Sequence, residues 1–325
     1  MPEITVVVPT YKRPDGLSRA VSSLLQQTGV PDFDILIVDN DPNASAKNAA
    51  DDLRAQSESN NIRYIHEPNA GVANARNAAM DNLSTRLVAF LDDDQSVPRN
   101  WLHSLLDFHA ANPAPVSFGP VVTKLPKSSA KHIDYLKAFF ARELDVKSGY
   151  IDHFYGCGNA LLDLSIIQRK GPLFDTSMNE CGGEDDLLFQ SLKERGERFG
   201  WCAEAPAFEH VPESRARLGY TLKRAFAYGQ GPITLARKAT PTRYGSILMW
   251  MGIGAAKFAL NMLLYFTHWV TRAPNRAEYL DRAVRGAGKF FWWVKLKFYG
   301  SASTTSEAAN QPCDPQTAHP HAQHS

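Results

Sequence analysis

Residues 87–98 read LVAFLDDDQSVP. The first half, Leu87–Leu91, is a short unbroken apolar run, the pattern of a strand buried on both faces of a parallel sheet. The second half opens with three adjacent aspartates. Asp is a poor strand former and neighbouring carboxylates repel, so local propensity does not explain them. A strand ends here, in a loop that is either a solvated acidic turn or a place where positive charge sits. The triplet alone leaves both readings open.

Upstream, the same kind of strand recurs with helices between. Ile4–Val8 is β-branched and nearly all apolar. Pro14 and Asp15 then open a helix that puts Leu17, Val21, Leu24 and Leu25 on one face. Ile35–Val38 is a second buried strand, ended by the turn sequence DNDPN. Ala46–Gln56 reads as a helix, Ile62–Ile65 as a strand, and Gly71 precedes the helical VANARNAAM. This alternation predicts a parallel, doubly wound α/β sheet. Ligands of such sheets sit beyond the carboxyl ends of the strands. Three polar clusters fall on that edge: PTYKRP, DNDPN and DDDQ.

Downstream, the pattern loosens from about Asn112 to Leu173, around FYGCGNALL at 154–162. GGEDDLLFQSLKERG (182–196) reads as a Gly-rich loop entering an amphipathic helix. Residues 247–270 are apolar and exceed the roughly 20 residues that cross a bilayer, but Lys257, Asn261 and His268 interrupt them. Between 252 and 300 eight basic residues face two acids, Glu278 and Asp281. A basic, aromatic region of this kind favours an anionic leaflet. We expect helices lying in or dipping into a membrane face, the alternative being a hairpin packed on the rest of the chain. The last 25 residues read as disordered.

Bulk properties narrow the classes. The chain has 325 residues, 44% hydrophobic and 21% charged, with a net charge of +1 that gives no reason to expect nucleic acid. Cys157, Cys181, Cys202 and Cys313 form no CxxC pair, which argues against a zinc ribbon or disulfide scaffold and fits a reducing compartment. The N-terminus lacks a secretory apolar segment, so a cytoplasmic catalytic part is expected.

Two acidic groups carry chemical expectations. An Asp-x-Asp on a sheet-end loop can hold Mg²⁺ or Mn²⁺, which prefer oxygen ligands and leave positions open for phosphate. GGEDD supplies a second acidic group, either a helix N-terminal cap or a general base whose preceding glycines let substrate approach.

In order and spacing, VVVPTYKRPDGLSRAVSSLLQQ, ILIVDND, GVANARNAAM, FLDDDQSVP and GGEDDLLF resemble the family 2 glycosyltransferases, over about residues 3–235. FEHVPESRARLGYTLKRAFAYGQG (208–231) is further similar to bacterial exopolysaccharide transferases of the succinoglycan glucosyltransferase type. The resemblance implies a GT-A, Rossmann-like nucleotide-sugar-binding domain over 1–240. A helical membrane-associating region would follow at 241–300, and a tail at 301–325. It implies that Thr10 and Tyr11 line a nucleoside pocket, that Asp39 and Asn40 contact base and ribose, and that Arg76 reaches the nucleotide. Asp92 and Asp94, with Asp93 between them, would hold donor and metal, and His210 falls where a late metal ligand is placed. Asp185 matches the catalytic base, Asp186 replaces it if the loop register differs by one, and Glu184 orients its neighbour or the acceptor. Arg215, Arg217, Lys223 and Arg224 could hold diphosphate, and Gly158 and Asn159 would wall the sugar.

The implied reaction is inverting transfer from a nucleotide-diphospho-sugar to a glycan or polyprenyl-diphosphate-linked acceptor at the cytoplasmic face of the inner membrane. Asn40, where many UDP-sugar users carry Asp, leaves a dTDP-sugar as the alternative to UDP. A sugar nucleotidyltransferase would want a glycine-dense early loop, which PTYKRPDG lacks. A non-catalytic binding protein would be expected to lose an acidic group, and Asp92, Asp94 and Asp185 are all present.

Overall fold

The computed structural model describes residues 3–57, 62–129, 131–168, 171–179, 183–239, 241–294 and 296. The expected disordered tail, with Cys181, Gly182, Lys295, Lys297 and Cys313, lies outside the described residues. The first third alternates as the sequence predicts: β1 (Ile4–Thr10), α1 (Pro14–Leu24), β2 (Asp34–Asp39), α2 (Lys47–Gln56), β3 (Ile62–His66), α3 (Val72–Asp81) and β4 (Leu87–Phe90). These four strands are parallel in the order β3-β2-β1-β4, with Val7 facing both Leu36 and Phe90. Alternation along β1 sends Ile4, Val6 and Val8 into a core with Leu17, Val21 and Leu24 of α1, while Val7 packs with Ala73, Ala79 and Met80 of α3.

The next elements are β5 (Gln95–Ser96), α4 (Trp101–Ala111), β6 (Val116–Phe118), β7 (Val121–Lys124), α5 (Ile133–Phe140), β8 (Gly149–Ile151), β9 (Ala160–Asp163), α6 (Leu164–Ile167), α7 (Glu184–Glu194), β10 (Phe199–Trp201) and β11 (Ala207–His210). The large sheet continues as β4-β9-β6-β10-β8, and a small second sheet has the order β5-β11-β7. The parallel arrangement expected from the first hundred residues holds through β4, and beyond it the sheet becomes mixed. Strand β9 runs antiparallel to both β4 and β6, and β8 runs antiparallel to β10. Ala160 pairs with Phe90, so β9 begins where β4 ends. The reversal thus lays the loop at 156–159 against the aspartate triplet.

Helices α8 (Leu218–Lys238), α9 (Tyr244–Val270) and α10 (Arg276–Phe290) pack together at the C-terminal end. Backbones touch where α10 crosses α9: a Cβ on Gly286 would meet the Gly254 carbonyl at 2.7 Å and the Phe258 nitrogen at 2.8 Å. The opposite face of α9 shows Leu248, Leu260, Leu263, Phe266 and Val270 to solvent. The polar interruptions lie elsewhere. Asn261 is buried and its amide donates to the Lys257 carbonyl at 2.7 Å, and His268 lies against Tyr279.

Candidate active site

The three aspartates close β4 as a tight turn, with the Gln95 amide donating to the Asp92 carbonyl at 2.9 Å. Two of them are matched by cations. Arg13, just before α1, donates from Nη1 to Asp93 Oδ1 at 2.9 Å and to Asp94 Oδ2 at 2.8 Å. Arg215 reaches the same Asp94 oxygen at 3.1 Å. Thr10, at the end of β1, donates to Asp93 Oδ2 at 2.9 Å. These contacts orient the turn and offset part of its repulsion.

Asp92 is different. Among the described residues its carboxylate accepts no hydrogen bond, and it lies against Gly158, where any Cβ would overlap Asp92 Oδ2. Burial, and then the charge of Asp94, push its carboxyl up to about 6. Burial and Asp93 likewise raise Asp94. Glu209 on β11 is raised by burial and then by Asp94 and Asp92. The carboxyls near the turn therefore crowd one another in a space that favours protons or cations.

The second acidic group meets the same 156–159 loop. Helix α7 starts at Glu184, so its first turn holds Glu184, Asp185 and Asp186, where the macrodipole favours negative charge. Arg76 on α3 pairs with Glu184 and lies 3.3 Å from Asp185 Oδ2, its guanidinium set over the rings of Phe90 and Phe174. Asp185 Oδ2 also accepts the Cys157 amide at 2.9 Å, and its Oδ1 accepts the Asp186 amide at 3.0 Å. Asp185 keeps a small exposed fraction, 9%, whereas Asp186 is open to solvent. Burial pushes the Glu184 carboxyl up to about 7, opposed by Arg76. The Cys157 thiol is fully buried and raised, which makes it inert.

Other expected residues fall differently. Asp39 is fully buried and accepts from the Asp41 and Ala46 amides and the Tyr64 hydroxyl. The Asn40 amide donates to the Glu67 and Asn69 carbonyls and accepts from Gly71, holding the 67–71 loop. Tyr11 is half-buried at the end of β1, with Lys12 over its ring. His210 Nε2 lies 2.8 Å from Ser96 Oγ, so the register of β11 leaves Glu209 as the residue that senses Asp92 and Asp94. Asn159 is fully buried, its side chain spent on Trp101, Pro120 and Ala205. Among the described residues no three His, Cys, Asp or Glu side chains are gathered as a metal set. Arg13, Arg142 and Glu209 were missed by the sequence reading. Each lies in a stretch that reads as loop or sheet edge, and only long-range contacts give it meaning.

Comparison with known proteins gives the family and the fold. The family model described as "Glycosyl transferase family 2" matches residues 5–170. The chain is 32% identical over 312 residues to the succinoglycan biosynthesis protein ExoM of Rhizobium meliloti (strain 1021), covering 93% of this chain and 97% of that one. It is 34% identical over 240 residues to the validoxylamine A glucosyltransferase of Streptomyces hygroscopicus subsp. limoneus, covering 63% and 52%. Among solved structures, the mannosyltransferase PcManGT from Pyrobaculum calidifontis, in complex with GDP-Man and Mn²⁺, superposes with a TM-score of 0.57 at 19% identity, over 90% of this chain and 87% of that one. TarS 1-349 of S. aureus, in complex with UDP, gives a TM-score of 0.51 at 14% identity, over 90% and 91%. The chain belongs to glycosyl transferase family 2. It is a glycosyltransferase with the GT-A fold.

Proposed function

We propose that this protein transfers a sugar, with inversion, from a nucleotide-diphospho-sugar to a glycan or polyprenyl-diphosphate-linked acceptor during surface polysaccharide synthesis. One observation carries the reading. Asp92 and Asp185, far apart in sequence, both meet the same four-residue loop, one against Gly158 and the other on the Cys157 amide. Donor and base chemistry then share one small space.

In the reaction, Asp185 takes the proton of the acceptor hydroxyl. The hydroxyl oxygen attacks the anomeric carbon, and the bond to the diphosphate oxygen breaks with its electron pair on the departing nucleotide. Attack opposite the leaving group inverts the configuration. Glu184 and Arg76 hold Asp185 in place, and Asp186 stands at the acceptor entrance. Thr10, Tyr11, Asp39 and Asn40 shape the nucleoside side, Asp39 by holding the loop after β2 and Asn40 the loop after β3. Mg²⁺ or Mn²⁺ fits the crowded carboxyls of Asp92 and Asp94, whose burial and mutual repulsion a cation would relieve. Such an ion supplies charge neutralisation for the departing diphosphate. His210, turned to Ser96, lies outside that set.

The similarity to a succinoglycan biosynthesis protein over nearly the full chain supports the polysaccharide setting. The exposed apolar face of α9 supports work at a membrane surface, on the cytoplasmic side, by the region from about 241. With α10 packed on one face of α9 through Gly254 and Gly286, the exposed apolar face is what supports a helix lying in or dipping into the membrane face.

The test is nucleotide release from a panel of UDP-, dTDP- and GDP-sugars with membrane lipid extract, with Mn²⁺ or with EDTA. One donor turned over only with metal, giving a product of inverted anomeric configuration by NMR, is the expected result. Donor binding without turnover would instead favour a non-catalytic binding protein.

A further inference from the structure

We propose that Arg142 is a positioning residue of the transfer site, fixing the 156–159 loop so that Asp92 and Asp185 keep their mutual geometry. The inference rests on the roles given above to those two carboxylates. Arg142 follows α5 and exchanges two backbone hydrogen bonds with Val121 of β7, at 2.8 and 2.9 Å. Its side chain then spends itself on main-chain carbonyls. Nε donates to Gly119 at 2.9 Å and Nη1 to Gly156 at 2.9 Å, while Nη2 donates to Gly158 at 2.6 Å and to Asn159 at 2.8 Å. The guanidinium lies over the rings of Phe118 and Tyr155, 5.6 and 5.4 Å from their centroids.

Guanidinium groups in proteins typically find a carboxylate. Among the described residues Arg142 makes no ion pair, although the carboxylates of Asp92 and Glu209 act on it electrostatically. Burial pulls it down to about 10, the sign of a charge held at a cost. Filling this space with an apolar side chain would avoid that cost. What only the planar fork supplies is a simultaneous grip on three carbonyls of one loop. The same loop points the Cys157 N–H at Asp185 Oδ2 and sets the Gly158 backbone against Asp92. Releasing any of its peptides would shift both carboxylates relative to each other. Lys, a single flexible point charge, cannot reproduce the grip.

The test uses the full chain carrying Arg142→Lys, with Asp185→Asn alongside. Three quantities are measured: hydrogen exchange of the 154–162 segment, UDP affinity by calorimetry, and turnover of the donor that the wild type uses. The expected outcome is faster exchange confined to that segment and turnover lowered about 100-fold, as a displacement of about 1 Å produces. UDP affinity should change by less than about threefold, because the loss lies in transition-state geometry and not in donor binding. Wild-type exchange and turnover in a folded Arg142→Lys protein would overturn the proposal, as would a loss of turnover matched by an equal loss of UDP binding. If Arg142→Lys does not fold, Tyr155→Leu removes one stacking ring and is expected to give the same pattern more weakly. Should Asp185→Asn retain turnover, the base assignment fails, and the exchange of 154–162 still decides whether Arg142 holds the loop.

Discussion

Arg76, which the family resemblance sends to the nucleotide, is 6% exposed and meets two aromatic rings and two acids. Removing its charge leaves Glu184 and Asp185 buried without a counter-ion, so Arg76→Met should cost ~3–5 kcal/mol in urea unfolding. A loss below about 1 kcal/mol would mean that the pair is solvated. Glu184 gives a pH signature. Its carboxyl is held at about 7 in the fold against 4.5 for the ordinary side chain. Between those values the folded state keeps a proton that the unfolded chain has released, so this group's contribution to stability falls as pH rises. The Tm of Glu184→Gln minus that of wild type should therefore increase from pH 5 to pH 8, and a flat or falling difference would refute the assignment. The acids themselves were legible: an Asp triplet ending a strand contradicts local propensity, and EDD after two glycines marks a helix start. Their partners were not. Arg13 and Arg215 meet Asp94 from 81 and 121 residues away, and nothing local marks either as a partner of that carboxylate.

Among the elements, the first four strands and their helices could be read directly, since unbroken apolar runs and amphipathic helices each have one period. The direction of β9 could not, because a four-residue buried strand carries no sign of its polarity. That reversal is what brings the 156–159 loop to the triplet, so the site's geometry was less legible than its membership. In the C-terminal helices the sequence shows an apolar stretch but not which side is covered. Two substitutions separate the faces of α9. Gly286→Leu, at the backbone contact with Gly254 and Phe258, should destabilise by ~1–3 kcal/mol through overpacking. Leu263→Glu, on the open face, should change stability by less than about 0.5 kcal/mol yet abolish flotation with anionic vesicles. Retained flotation of Leu263→Glu would place the membrane contact elsewhere.

For the whole molecule, the reversed strand β9 brings the 156–159 loop to both Asp92 and Asp185, and the C-terminal helices leave one apolar face of α9 open. On the proposed reading Asp92 serves the donor side and Asp185 the proton, so their losses should be distinguishable in one experiment. Donor affinity and single-turnover rate are measured for wild type, Asp92→Asn and Asp185→Asn at saturating Mn²⁺. Asp185→Asn should bind donor like wild type and lose about 10²–10⁴-fold in rate, the usual worth of a general base. Asp92→Asn should lose donor affinity first. If Asp185→Asn instead turns over at the wild-type rate, or loses donor binding as Asp92→Asn does, the two carboxylates do not divide the reaction across the 156–159 loop.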